Sequence, residues 1–340
     1  MIDNALSVLA VFAALLRVAI GVFVLVLGVR ALGRRPAPER RDAREARYYL
    51  LFASALTLLG LAIVSWPLLY MVLQSYVPQW PGVMCIQGVT QVGLGSVGPA
   101  SYLPGLLAFL EAAKPALVFA AGAWLVLHLA NLRSRTGVLG NRALWALLAF
   151  GVVATLEGTG ELAYLFIPKQ ETFLAAGCCT IAADPVASAG GVSTLPLARA
   201  DVGGAGLTFA FFAVGCAVLM TTTMALWRAR HKAGGRWLAL SLLATLVSVP
   251  VGIAFLSEVG APSFLGLPYH QCTYCLMATA PEGLVGILLY AAGAFAVGWA
   301  CAARWLGRDA GRELASPLLQ VALFGYSASL LMTAVKLAAL

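Results

Sequence analysis

The segment Leu267-Pro268-Tyr269-His270-Gln271-Cys272-Thr273-Tyr274-Cys275-Leu276-Met277 sets an imidazole, two thiols and a thioether within a few residues of one another. Thiolates and thioethers are soft donors that select Cu(I), zinc and similar ions, and imidazole completes such sets. His270, Cys272, Cys275 and Met277 are therefore candidate ligands, with Met84, Cys85 and the adjacent pair Cys178-Cys179 as further donors. Two features favour a metal over a framework of disulfides. Five cysteines lie in the loops described below, an odd number that pairing cannot exhaust. Cys178 and Cys179 are also neighbours in the chain and cannot bond to each other without strain. Against this, no second Cys-x-x-Cys supplies a four-ligand zinc pattern.

The same sulfurs support a redox reading. A Cys-x-x-Cys pair just ahead of a helix is expected to have a lowered thiol pKa, because the helix N-terminus stabilises a thiolate. Cys272 and Cys275 would then be the catalytic pair of a thiol–disulfide oxidoreductase, exchanging with another loop cysteine and passing electrons to a membrane quinone. Cys272-Thr273-Tyr274-Cys275 at the end of an apolar span resembles the active pair of disulfide-generating membrane oxidoreductases, the vitamin K epoxide reductase type among them. The adjacent cysteines, the single intervening His and the eight-span plan set out below depart from those compact bundles. A third reading makes the cysteines staples for the loops of a non-catalytic subunit or anchor of a membrane complex.

The elements that must carry these residues are membrane helices. Hydrophobic residues make up 61% of the 340 positions and charged ones 11%, with a mean hydropathy of +0.90, which excludes an ordinary soluble domain. Apolar runs recur down the chain, each long enough to cross about 30 Å of hydrocarbon as a helix. Eight spans are expected, near 5–31, 49–73, 104–132, 143–167, 204–227, 237–256, 281–305 and 317–340. The first carries Asp3 where a signal peptide would have basic residues, and its apolar run is too long for one, so it is read as a retained span. Ser316 is the expected N-cap of the eighth, with Pro317 at its first position.

Charge is distributed unevenly among the loops. Nearly all Arg and Lys follow spans one, three, five and seven, while the loops near 76–103, 168–203 and 257–280 hold little beyond Lys169 and Arg199. The positive-inside rule then places both termini and the three poorly charged loops outside the cytoplasm, in a bacterial inner membrane. Those loops hold Cys85, Cys178, Cys179, Cys272 and Cys275, facing a compartment that permits disulfides. The net charge of +8 is thereby a topology signal and implies contact with anionic lipid, not nucleic acid. An extracytoplasmic metal or thiol-redox protein is the expected partner.

Weak internal similarity points the same way. Arg142 to Cys178 and Arg236 to Cys272 are equal separations, and Ala120-Ala121-Gly122-Ala123-Trp124 resembles Ala291-Ala292-Gly293-Ala294-Phe295. Read as one transmembrane domain, the chain becomes a first span and basic loop (1–48), three repeated two-helix hairpins (49–305) and a last span (306–340). Repeats of this kind place shared sites at their interface, so the three Cys-bearing loops are expected to converge.

A second constellation lies within the spans. Glu157 and Glu161 are four apart, on one face of a helix, Glu111 and Lys114 are three apart, and Arg17 is near the middle of the first span. Isolated charges at such depth cost several kcal/mol, so these must pair or line a wet cavity. They read equally as a cation or proton path and as an internally neutral packing device. Only His128, His231 and His270 exist and Cys-x-x-Cys is not followed by His, so no haem is indicated.

Overall fold

The computed structural model describes residues 4–33, 41–79, 83, 85–93, 97–134, 140–169, 204–230, 235–267 and 270–339. Among them the regular structure is helical: α1 (Ala5–Gly33), α2 (Arg41–Tyr76), α3 (Ile86–Thr90), α4 (Leu103–Arg133), α5 (Gly140–Phe166), α6 (Gly204–Arg230), α7 (Gly235–Phe255), α8 (Ala261–Leu265), α9 (Thr273–Thr279), α10 (Pro281–Leu306) and α11 (Arg308–Ala338). Among the described residues eight stretches are long and apolar enough to cross a membrane, which bears out the expected polytopic bundle.

The chain packs as two compact units. The first is built from α1, α2, α4 and α5, and the second from α6 to α11 together with the segment around Cys85. The fourth and fifth spans therefore fall in different units.

In the first unit Val24, Leu58, Leu117, Trp124, Leu147 and Phe150 form the apolar core. Lipid tails are as apolar as these side chains, so close approach of small residues, not hydrophobic burial, must hold the helices together. A Cβ on Gly21 would lie 2.5 Å from Thr155 Oγ1, and one on Gly158 would lie 2.9 Å from Val18 Cγ2 and 3.1 Å from Ala14 O. These glycines seat α1 against α5. Gly158→Ala is expected to push α1 outward and cost about 1–3 kcal/mol, read as a lower unfolding midpoint in detergent.

The second unit is held by a similar device. A Cβ on Gly325 would meet Leu289 O at 2.6 Å and one on Gly293 would meet Tyr326 Cδ2 at 2.9 Å, bringing α10 and α11 into close contact. Phe211 and Phe255 stack at 4.1 Å between ring centroids and join α6 to α7.

Two boundaries differ from those expected. α11 begins at Arg308, so Ser316 is inside the helix and caps nothing, and Pro317 is an interior proline. The break comes earlier, at Gly307, because the chain turns where Gly307 and Gly311 crowd Ala303 O; a Cβ at either would come within 2.5 Å of it. The sixth span also runs beyond residue 256. A π-helical turn, Leu256–Gly260, carries α7 into α8, and Gly266 ends it with a φ of 66° that a glycine adopts without strain.

Candidate metal centre

Gly266 N donates to Ser263 O at 3.2 Å and Leu267 N to Pro262 O at 3.0 Å, closing α8. His270 N donates to Leu267 O at 3.0 Å, turning the chain back toward α9. Cys272 is then the N-cap of α9. Its Sγ accepts from Cys275 N at 3.2 Å, the role a Ser or Asp oxygen usually fills. The short helix is seated by Leu276, fully buried against Ala261 and Ala280. Gly283 makes room for it, since a Cβ there would lie 3.0 Å from Leu276 Cδ1.

This seating brings three sulfurs together. The ligand atoms of Cys85, Cys272 and Cys275 all lie within 4.8 Å of one another, and Cys85 Sγ is 3.9 Å from Cys272 Sγ across 187 positions of sequence. Cys85 and Cys272 are buried and Cys275 is half-buried. Two of the three expected Cys-bearing loops thus converge. Cys178, Cys179 and Met84 lie outside the described residues. His270 is half-buried but is not a member of the trio. Met277 stands half-buried on α9, two residues beyond Cys275.

The thiols do not have the lowered pKa expected of a pair at a helix start. For Cys272 the hydrogen bond with Cys275 pulls the value down, but the one with Cys85 and burial outweigh it and leave the thiol at about 11. Hydrogen bonds to Cys272 and to Cys85, and then burial, all push Cys275 up. Mutual crowding of three sulfurs overrides one turn of helix dipole. Thiol form predominates at neutral pH, which slows nucleophilic exchange.

One residue near the site was not legible as such. Glu258, half-buried in the π-helical turn, accepts from Gln271 Nε2 at 2.7 Å, and Gln271 directly precedes Cys272. A π turn shifts the helical register by one residue, so ordinary 3.6-residue periodicity gave no sign that Glu258 would face this loop. Glu282, in the first turn of α10, pairs with Lys336 Nζ at 2.7 Å.

The intramembrane charges meet in the first unit. Arg17 Nε donates to Glu157 Oε2 at 2.7 Å, and Arg17 Nη2 to Glu161 Oε2. Lys114 Nζ donates to Glu157 Oε1 at 2.5 Å and to Glu161 Oε2 at 2.7 Å. All four side chains are 0–1% exposed. The i, i+4 spacing of the glutamates presents both to the same two cations. Glu111 is exposed and is not one of the buried four. Nearer the C-terminus of α5, Lys169 Nζ donates to Tyr164 O at 2.8 Å and lies over the rings of Tyr76 and Tyr164, and burial lowers its amine to about 8. His128 stacks between Phe52 and Trp124, at 4.8 and 5.5 Å between centroids, a packing role.

Comparison with protein-family models, with curated proteins and with solved structures finds no match for this chain.

Proposed function

We propose that this membrane protein binds a soft metal ion, Cu(I), at Cys85, Cys272 and Cys275, and transports it or delivers it to an acceptor. The observation that carries this reading is the spacing of the sulfurs. Thiolates about 2.3 Å from a metal in a trigonal plane stand about 4.0 Å from one another, and Cys85 Sγ and Cys272 Sγ are 3.9 Å apart. Three soft donors without a fourth His, Cys, Asp or Glu among the described residues suit a low-coordinate monovalent ion better than tetrahedral zinc. Each thiol that ligates must lose its proton, so affinity falls as pH falls.

The loop charges support the extracytoplasmic side of a bacterial inner membrane for this site, with both termini on that side. Membrane-impermeant thiol reagents applied to intact cells check the sidedness. The oxidoreductase reading keeps one supporting observation, the reach of Cys85 to Cys272, and loses another, the lowered thiol pKa.

The test is a Cu(I) titration of the full chain, reduced and under anaerobic conditions, against a chromophoric Cu(I) chelator. One copper ion per chain, withheld from the chelator, is expected. Failure to compete by protein whose thiols all react with a thiol reagent sinks the reading. Reversible oxidation of Cys272 with quinone reduction would replace it with the oxidoreductase.

A further inference from the structure

Four ionisable side chains buried in one membrane unit need a reason beyond stability. A buried ion network contributes little over apolar residues of the same volume, and an ionisable group at membrane depth marks function by default. Within the quartet the pairing is uneven. Glu157 has both oxygens engaged, Oε2 by Arg17 Nε and Oε1 by Lys114 Nζ, with Arg17 Nη2 at 3.4 Å. Glu161 has only Oε2 engaged, by Arg17 Nη2 and Lys114 Nζ. Glu161 Oε1 and Arg17 Nη1 have no hydrogen-bond partner among the described residues, although both residues are 0% exposed. An unmatched buried polar atom costs about 1–3 kcal/mol, more when charged. A water molecule or a proton at that point removes the cost.

We propose that the quartet is a proton-binding site, with Oε1 of Glu161 taking the proton and Arg17 Nη1 holding the water that delivers it. A hydronium ion transfers its proton to Oε1, the carboxylate becomes a carboxylic acid, and the remaining water accepts from Nη1. Only O–H bonds form and break, and nothing is oxidised or reduced. Arg17 and Lys114 retain Glu157, so the site passes from net charge zero to plus one with its cations still held.

The groups facing Glu161 fit this role. Arg17 comes from α1, Lys114 from α4 and Glu157 from α5; beyond Glu161 along α5, Tyr164 and Tyr76 of α2 both lie under Lys169. Glu111, one turn from Lys114 on α4, is exposed and acts electrostatically on Tyr164. From Arg17 toward its N-terminus the buried face of α1 is Ala14, Ala13, Ala10 and Ser7, and the Ser7 hydroxyl lies 3.0 Å from Tyr76 OH. On the opposite side Leu117, Trp124, Leu147 and Phe150 close the unit with apolar side chains. The hydroxyls of Ser7 and Tyr76 make the end that carries Tyr76 and Lys169 the side assigned to proton entry.

Infrared difference spectroscopy of the full chain in lipid, stepped between about pH 5 and 9, tests this. The expected result is a protonated-carboxyl stretching band that grows as pH falls, shifts in D2O and is lost in Glu161→Gln. Two further variants keep the test open where Glu161→Gln does not fold. Glu161→Asp is expected to retain the band with a displaced midpoint. Glu111→Gln, at an exposed position outside the buried four, is expected to retain it. A wild-type spectrum without a titrating carboxyl, a band surviving in folded Glu161→Gln, or a band lost in Glu111→Gln overturns the proposal.

Discussion

Replacing Glu157 with alanine is expected to destabilise the protein by about 3–5 kcal/mol, the cost of leaving a buried charge without its partner. Glu157 is the member of the quartet whose two oxygens both carry ion pairs, and without it two cations face one carboxylate. The size of the effect comes from charge balance more than from any single bond. Removing Arg17 and Glu157 together, as Arg17→Met with Glu157→Met, leaves Lys114 and Glu161 paired one to one. That double variant is expected to recover at least about half of the loss, because well-packed apolar residues commonly replace a buried ion pair without penalty. Unfolding midpoints in lipid–detergent mixtures check both. A double variant as unstable as the single one would mean that hydrogen-bond geometry, not neutrality, holds the helices together.

Cys85→Ser and Cys272→Ser are each expected to lower Cu(I) affinity on the order of a hundredfold. Four-ligand zinc sites gain about 10–16 kcal/mol in all, which is about 3 kcal/mol for each ligand and about two decades in affinity. His270→Ala is expected to change it by less than about tenfold, since its imidazole is not a member of the sulfur trio. Competition with a Cu(I) chelator reads all three. This series separates the ligand set drawn from local spacing, in which His270 is a core member, from the set drawn by the fold, in which Cys85 is. A His270→Ala loss matching that of Cys272→Ser would restore the local set.

The eight spans were legible because a membrane helix announces itself through length and uninterrupted apolarity, which need no partner. The pairing of Glu157 and Glu161 with Arg17 and Lys114 was legible in kind, since charges at that depth must find one another, but not in its detail. Nothing in the sequence says that Lys114 turns to both glutamates of α5 while Glu111, three residues away, stays exposed. Cys85 was named as a partner to the Cys-x-x-Cys pair from loop charge and repeat spacing, and the fold brings its sulfur there. The thiol pKa was misread because a helix start is a local feature, whereas the sulfur that raises Cys272 arrives from a distant loop. Helix ends failed for a similar reason. Gly307 and Gly311 fix the start of α11 by their closeness to Ala303 O, a contact invisible to capping rules applied at Ser316 and Pro317.

The most direct measurement is X-ray absorption at the copper edge of the full chain, loaded with one equivalent of Cu(I) under anaerobic conditions. The expected result is a first shell of three sulfurs at about 2.3 Å, reduced by one sulfur in Cys85→Ser. A shell of nitrogen or oxygen donors, or a three-sulfur shell unchanged in Cys85→Ser, would contradict the assignment of Cys85, Cys272 and Cys275 as the metal site.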